Sequence, residues 1–156
     1  MAKTTRATQV LEKAGVAFTV HSYDYDPGAD SIGLAAAEAL GEDPAHVLKT
    51  LIAKVDGKPV CVIVPSNREV AMKKLAAACK GKAAEMMKPV DAERLTGYKV
   101  GGISPFGQMR TMPVLIEETA VGEEYVFVNG GQRGLQVRLS PGDALQVLRA
   151  SAARLI

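Results

Sequence analysis

The residues best suited to chemistry in this chain lie in two glycine-rich stretches, Thr96 to Gln108 (TGYKVGGISPFGQ) and Val128 to Val137 (VNGGQRGLQV). Glycine leaves backbone amides uncovered and admits φ > 0. Gly101, Gly102, Gly130 and Gly131 are therefore expected either to present amides to an anion or carbonyl oxygen, or only to satisfy turn geometry. The usual nucleophiles are poorly placed. Ser104, in Gly102-Ile103-Ser104-Pro105-Phe106, lacks the glycine that a nucleophile elbow needs, because Phe106 stands there. It reads as a turn residue whose hydroxyl or amide touches ligand. Cys61 sits inside the apolar run Val60 to Val64 and Cys79 near a helix end, so both read as structural thiols. Of the histidines, His21 lies on a strand from which it could line a pocket, and His46, beside Pro44, reads as a surface residue. No His, Asp, Glu and Cys spacing suggests a metal site, and no cofactor is expected. Lys49 stands at the mouth of the apolar strand Val47 to Ile52, where, taken alone, it reads as an edge lysine that discourages strand-to-strand pairing.

These residues need elements to hold them. Ala7, Val10, Leu11 and Ala14 recur at helical spacing from Thr5 to Ala14, with Gly15 as the stop. Ala17 to Tyr23 alternates as a half-buried strand ending at the Pro27-Gly28 turn. Ser31 is placed to cap an alanine-rich helix running to Leu40. Leu48 to Val55 and Pro59 to Pro65 flank Asp56-Gly57, the signature of a tight hairpin. A helix over Val70 to Cys79 and a helical turn over Asp91 to Leu95 lead to the first glycine loop. Strands follow over Met112 to Glu117, Glu124 to Val128 and Leu135 to Leu139, and a closing helix opens at Pro141. Strands and helices are interspersed without a regular βαβ repeat. That pattern predicts an α+β fold, a single domain over residues 1–156 with a mixed, curved β-sheet flanked by helices.

Composition narrows the class. With 47% hydrophobic and 23% charged residues and no Trp, the chain has an ordinary aliphatic core and no sign of disorder. A net charge of +2 permits contact with a polyanion without requiring it. The charged start MAKTTRATQVLEKAGV is no secretory signal, and no apolar run reaches the ~18 residues of a membrane span. Two cysteines are too few for a disulfide framework, so the expected setting is a reducing cytoplasm.

Six segments in register carry more information than any one motif: LEKAGVAF, HSYDYDP, VLKTL, the KKLA helix, TGYKVGGISPFGQ, and VNGGQRGLQV with its PGDALQVL tail. Together they resemble the YbaK/EbsC family of aminoacyl-tRNA deacylases, specifically its Cys-tRNA(Pro) branch, over nearly the whole chain. The resemblance implies a trans-editing hydrolase acting on the aminoacylated 3′ end of tRNA, with prolyl-tRNA synthetase as a partner. It implies catalytic roles for Lys49, Gly101 and Tyr23. Substrate contacts are implied for Thr50, for Gly102, Ile103, Ser104 and Pro105 of the first loop, and for Gly130, Gly131, Arg133 and Gln136 of the second. Relatives often carry an acidic residue where this chain has Gln136, which cannot act as a base. Absence of a nucleophile suits the branch, in which the substrate's own thiol is thought to attack its ester. A deacylase for another small amino acid such as alanine, and a non-catalytic tRNA- or synthetase-binding module, remain the alternatives.

Overall fold

The computed structural model describes residues 4–28 and 32–156. Helix α1 (Arg6–Ala14) begins where the Thr5 hydroxyl accepts from the Thr8 amide while Thr8 returns the bond to the Thr5 amide, a reciprocal cap. It leads to β1 (Phe18–Ser22) and then α2 (Ile32–Leu40). The expected Ser31 cap lies outside the described residues. The hairpin of β2 (Leu48–Val55) and β3 (Lys58–Pro65) turns at Asp56-Gly57, with Asp56 itself at φ 51°. Its tip is pinned because the Asp56 carboxylate accepts from the Lys82 and Ala83 amides.

Helix α3 (Met72–Ala78) is shorter than its composition suggests, and α4 (Pro89–Thr96) is longer, since Pro89 opens it two residues before the expected turn. Between them runs β4 (Ala84–Met86), which has no alternation to announce it. The remaining elements are β5 (Val114–Glu117), α5 (Glu118–Val121), β6 (Val126–Asn129), β7 (Leu135–Leu139), α6 (Pro141–Leu148) and β8 (Ser151–Ala153). Helix α5 and strand β8, at four and three residues, were also invisible to periodicity.

The strands form two hydrogen-bonded sets, β1-β7-β6, which is antiparallel, and β4-β2-β3-β5-β8, which is mixed. One apolar core includes residues from both sets, Leu48, Ile52, Cys61 and Ile63 from one and Val126, Val128 and Val137 from the other, together with Leu11 and Phe106. A second core joins Val60, Val62 and Val64 to Leu75 of α3 and to Leu155. A third joins Phe127 to Ala36 and Ala37 of α2. The result is an α+β fold with a mixed sheet flanked by helices. Among the described residues no helix is long and apolar enough to cross a membrane.

What matters for function is the seam between the two sets. A parallel bridge pairs Val47 with Phe127, and the Phe127 amide donates to the His46 carbonyl at 2.7 Å. Two residues further along each strand, the seam brings Lys49 and Thr50 of β2 near Asn129 of β6 and its β7 partner Gln136.

Candidate active site

A cavity of about 340 Å³ opens at this seam. Strand β4 pairs only with Ala53 to Val55, so the earlier residues of β2, Leu48 to Ile52, can form one wall. Met86, Met87, Pro89 and Ala92 make an apolar second wall, Val100, Gly101 and Ile103 a third, and Asn129 and Gln136 close it from the smaller sheet. Thr50 and Gln136 are only 9% and 5% exposed, yet Thr50 Oγ1 and Gln136 Oε1 have no hydrogen-bond partner among the described residues. A buried polar atom left unpaired costs about 1–3 kcal/mol. Two of them on the lining of one cavity are what a polar ligand would satisfy.

Lys49 is the one charged residue among the described lining residues, and its ammonium pairs with the Glu69 carboxylate at 3.3 Å. Tyr23 does not line the cavity. It packs with the α2 cluster, and its hydroxyl is buried without a hydrogen-bond partner among the described residues. Burial raises the phenol above its ordinary value, only partly offset by the nearby Gln136 side chain and the Gly134 backbone, so Tyr23 is neutral at physiological pH. Its hydroxyl lies near the side chain of Gln136, which does line the cavity.

The four glycines divide. Gly102 donates its amide to Lys99 O, Gly130 to Leu135 O and Gly131 to Asn129 Oδ1, so these three hold the turns together. Gly101 lines the cavity at φ 89°, and its amide has no such partner among the described residues. The expected set of bare amides thus shrinks to Gly101. Ser104 and Pro105 are buried outside the cavity lining, and Ser104 Oγ accepts from the Phe106 amide at 3.2 Å, which shapes the loop. Gly130 and Gly131 face α1: the Gly130 carbonyl accepts from the Thr5 hydroxyl, and a Cβ on Gly131 would meet Tyr98 at 3.0 Å. Arg133 is exposed at the cavity's lip, its Nε donating to Val100 O at 2.9 Å.

With this geometry in place, comparison with known proteins decides the family. The sequence model described as "Aminoacyl-tRNA editing domain" matches residues 26–147. The chain belongs to that family. EbsC of Enterococcus faecalis, named as a candidate Cys-tRNA(Pro)/Cys-tRNA(Cys) deacylase, is 32% identical over 156 residues, 97% of this chain and 92% of its own. A proline–tRNA ligase of Caldicellulosiruptor bescii is 41% identical over 68 residues, which cover 44% of this chain and 12% of the ligase. A crystal structure described as that of a candidate trans-editing enzyme for prolyl tRNA synthetase superposes with TM-score 0.83 at 22% identity, covering 99% of this chain and 98% of the other. That last likeness is one of fold.

In this editing domain one further residue, not apparent from spacing, joins the two turns. Asn129 is buried at the end of β6; its Nδ2 donates to Gly101 O at 3.2 Å, while Oδ1 accepts from Gly131 at 2.7 Å and Gln132 at 3.3 Å. One amide side chain therefore clamps the two glycine turns together. An asparagine directly before Gly-Gly was the available signal, since Asn bonds readily to amides two residues on. The residues set aside as chemistry stay outside the cavity. Cys61 is buried and its thiol is pushed up to about 12 by desolvation. His21, which its strand position suggested could line a pocket, instead packs its ring edge-on to Phe127 and bonds the Thr19 hydroxyl, outside the cavity lining. His46, expected at the surface, is instead part-buried between Glu123, at 2.9 Å, and the Tyr125 ring. Among the described residues no group of three His, Cys, Asp or Glu gathers that could hold a metal.

Proposed function

We propose that this chain is a trans-editing deacylase that removes cysteine mischarged onto tRNA(Pro), in the cytoplasm, with prolyl-tRNA synthetase as the source of its substrate. The observation that carries this reading is the cavity's lining. Its described residues include an uncommitted glycine amide, two unpaired polar atoms and one ammonium, but no serine, cysteine, histidine or carboxylate. Such a site is equipped to hold and polarise an ester, not to attack it.

In this reading the substrate supplies the nucleophile. The cysteinyl thiol adds to its own ester carbonyl, forming the C–S bond; the C–O bond to the ribose breaks, and the thiol proton ends on the departing hydroxyl. Water subsequently opens the resulting thiolactone to free cysteine. The Gly101 and Ile103 amides face the carbonyl oxygen as it gains charge, a contribution of about 2.7–4 kcal/mol for a well-placed donor. Lys49 holds the tRNA end, and Thr50 and Gln136 bind the polar groups of the aminoacyl-ribose. Tyr23 acts through Gln136, as a positioning residue. Gly102, Ser104, Pro105, Gly130 and Gly131 build the two turns. Holding thiol and carbonyl at contact supplies most of the acceleration by orientation.

The test is deacylation of Cys-tRNA(Pro), Ala-tRNA(Pro) and Pro-tRNA(Pro) by wild type and Lys49→Ala. The expected result is loss of the cysteinyl ester alone, slowed about 100-fold or more in Lys49→Ala. Cleavage of Ala-tRNA as fast as Cys-tRNA would remove the thiol mechanism. No cleavage of any ester would leave a binding module.

A further inference from the structure

We infer that Arg133 forms a phosphate subsite at the lip of the cavity and takes the 5′-phosphate of the tRNA's terminal adenosine. This deepens the reading above and rests on it, by assigning the same substrate a second anchor outside the cavity.

Arg133 is exposed but not loose. Its Nε is bonded to Val100 O at 2.9 Å, and its guanidinium carbon lies 5.3 Å from the centre of the Tyr25 ring. Its backbone amide is packed so closely on Gly102 that a Cβ there would lie 2.8 Å away. The Tyr25 hydroxyl in turn lies 2.7 Å from where a Gly101 Cβ would project, so the ring reaches across to the first glycine loop. These contacts hold a planar cation beside Val100 and Gly101, both of which line the cavity. Prior ordering reduces the rotamer entropy that an arginine otherwise loses on gripping an anion. Among the described residues no carboxylate forms an ion pair with Arg133, whereas Lys49 is already paired with Glu69.

Substrate geometry supplies the occupant. The aminoacyl ester hangs from the 2′,3′ side of the terminal ribose, and the 5′-phosphate leaves from the opposite side. With the carbonyl at Gly101 and the amino-acid side chain in the cavity, the ribose crosses the lip and its phosphate emerges where Arg133 is held. A guanidinium presents parallel N–H donors to phosphate oxygens, which a lysine cannot do.

Calorimetric binding of two non-hydrolysable analogues tests this: 3′-cysteinylamido-3′-deoxyadenosine with and without a 5′-phosphate. Wild type is expected to bind the phosphorylated analogue about tenfold more tightly. Arg133→Gln should bring the two affinities within about twofold of each other, with the larger loss on the phosphorylated analogue, and Arg133→Lys should fall between. Equal affinity of wild type for both analogues would overturn the inference and leave the deacylase reading standing. So would an equal loss of both in Arg133→Gln, which would make Arg133 a brace for Val100 only. Failure of both analogues to bind while Cys-tRNA is still deacylated would overturn the placement of the nucleotide. Failure to bind either analogue together with no deacylation would remove the function as well.

Discussion

The two glycine turns look alike in sequence and do different work. Gly101 and Gly102 stand in a loop whose backbone forms part of the cavity wall, and Gly130 and Gly131 stand in a turn that packs on α1 and Tyr98. Glycine is needed in both because something approaches closely. At the first loop the neighbours are Tyr25 and the backbone of residues 132–133; at the second they are Leu135, Tyr98 and Thr5. Asn129 bonds to both turns and makes them one unit. A glycine pair in a sequence therefore marks a close approach, and only the structure says whether the other party is ligand or protein.

The strongest way to break the unit is Gly102→Ala. Its Cβ would lie 2.8 Å from the Arg133 nitrogen, a backbone atom that cannot swing aside. The turns must part, at a cost of about 1–3 kcal/mol in stability. Displacing the cavity wall should also lower kcat/KM for Cys-tRNA by about 100-fold. Thermal unfolding and deacylation measured on one preparation check both, and unchanged activity would show that contact between the turns is irrelevant to catalysis.

Gly101→Ala should act on catalysis more than on the fold. Here the φ is 89° and the Cβ would meet the Tyr25 hydroxyl at 2.7 Å, the far end of a side chain that can move. Left-handed strain of about 1–2 kcal/mol passed into loop displacement corresponds to about a tenfold fall in kcat/KM. Adding Tyr25→Phe removes the clashing oxygen and should restore part of the loss; strictly additive effects of the two changes would count against the contact. Gly131→Ala, at φ 93° and 3.0 Å from Tyr98, should do the reverse. It is expected to cost about 1 kcal/mol or more of stability, with activity per folded molecule within about twofold of wild type. A larger fall in activity would mean that the second turn also faces substrate.

The same contrast explains what could be read in advance. Elements governed by neighbours in sequence were legible: α1 with its Thr5 and Gly15 ends, the Asp56-Gly57 hairpin, β7 and the Pro141 start of α6. Elements that exist only because a neighbouring strand or helix completes them were not. Strand β4 is held by Ala53 to Val55, β8 by β5, and α5 by a cap from Glu117. For the site, family likeness pointed to Lys49, Thr50 and Gln136, and all three line one cavity. It did not reveal that most of the glycine amides are committed to the turns, nor that Asn129 joins them. The first rests on bonds within each turn that residue type alone does not announce, and the second on a pairing between residues 28 apart, which spacing along the chain cannot report.

Glu117 sharpens the comparison from the other side, because it is a buried polar group whose partners are complete. It is 0% exposed, yet Oε1 accepts from the Leu155 amide and Oε2 from the Thr119 amide, each at 2.8 Å. Burial alone would raise this carboxyl. The amides of Leu155, Thr119 and Ile156, with the Thr119 hydroxyl, outweigh it and hold the group below its ordinary value. A depressed folded value means that the stabilisation is fully present above the unfolded carboxylate value and is lost as pH falls through the folded one. Glu117→Gln keeps one acceptor and turns an NH₂ toward the other amide, so at neutral pH it should cost about 1 kcal/mol, or roughly 2–4 °C in Tm. The gap between variant and wild type should close as the pH is lowered into the acid range. Deacylation should be untouched, since Glu117 lies outside the cavity lining. Gln136→Ala reverses both outcomes: the fold loses little, because Oε1 has no hydrogen-bond partner to forfeit among the described residues, and KM for Cys-tRNA rises. A gap in Tm that stayed constant across pH would show that the carboxylate's charge at Glu117 contributes nothing, and a stability loss in Gln136→Ala as large as that in Glu117→Gln would erase the distinction between a satisfied buried polar group and one kept unsatisfied for a ligand.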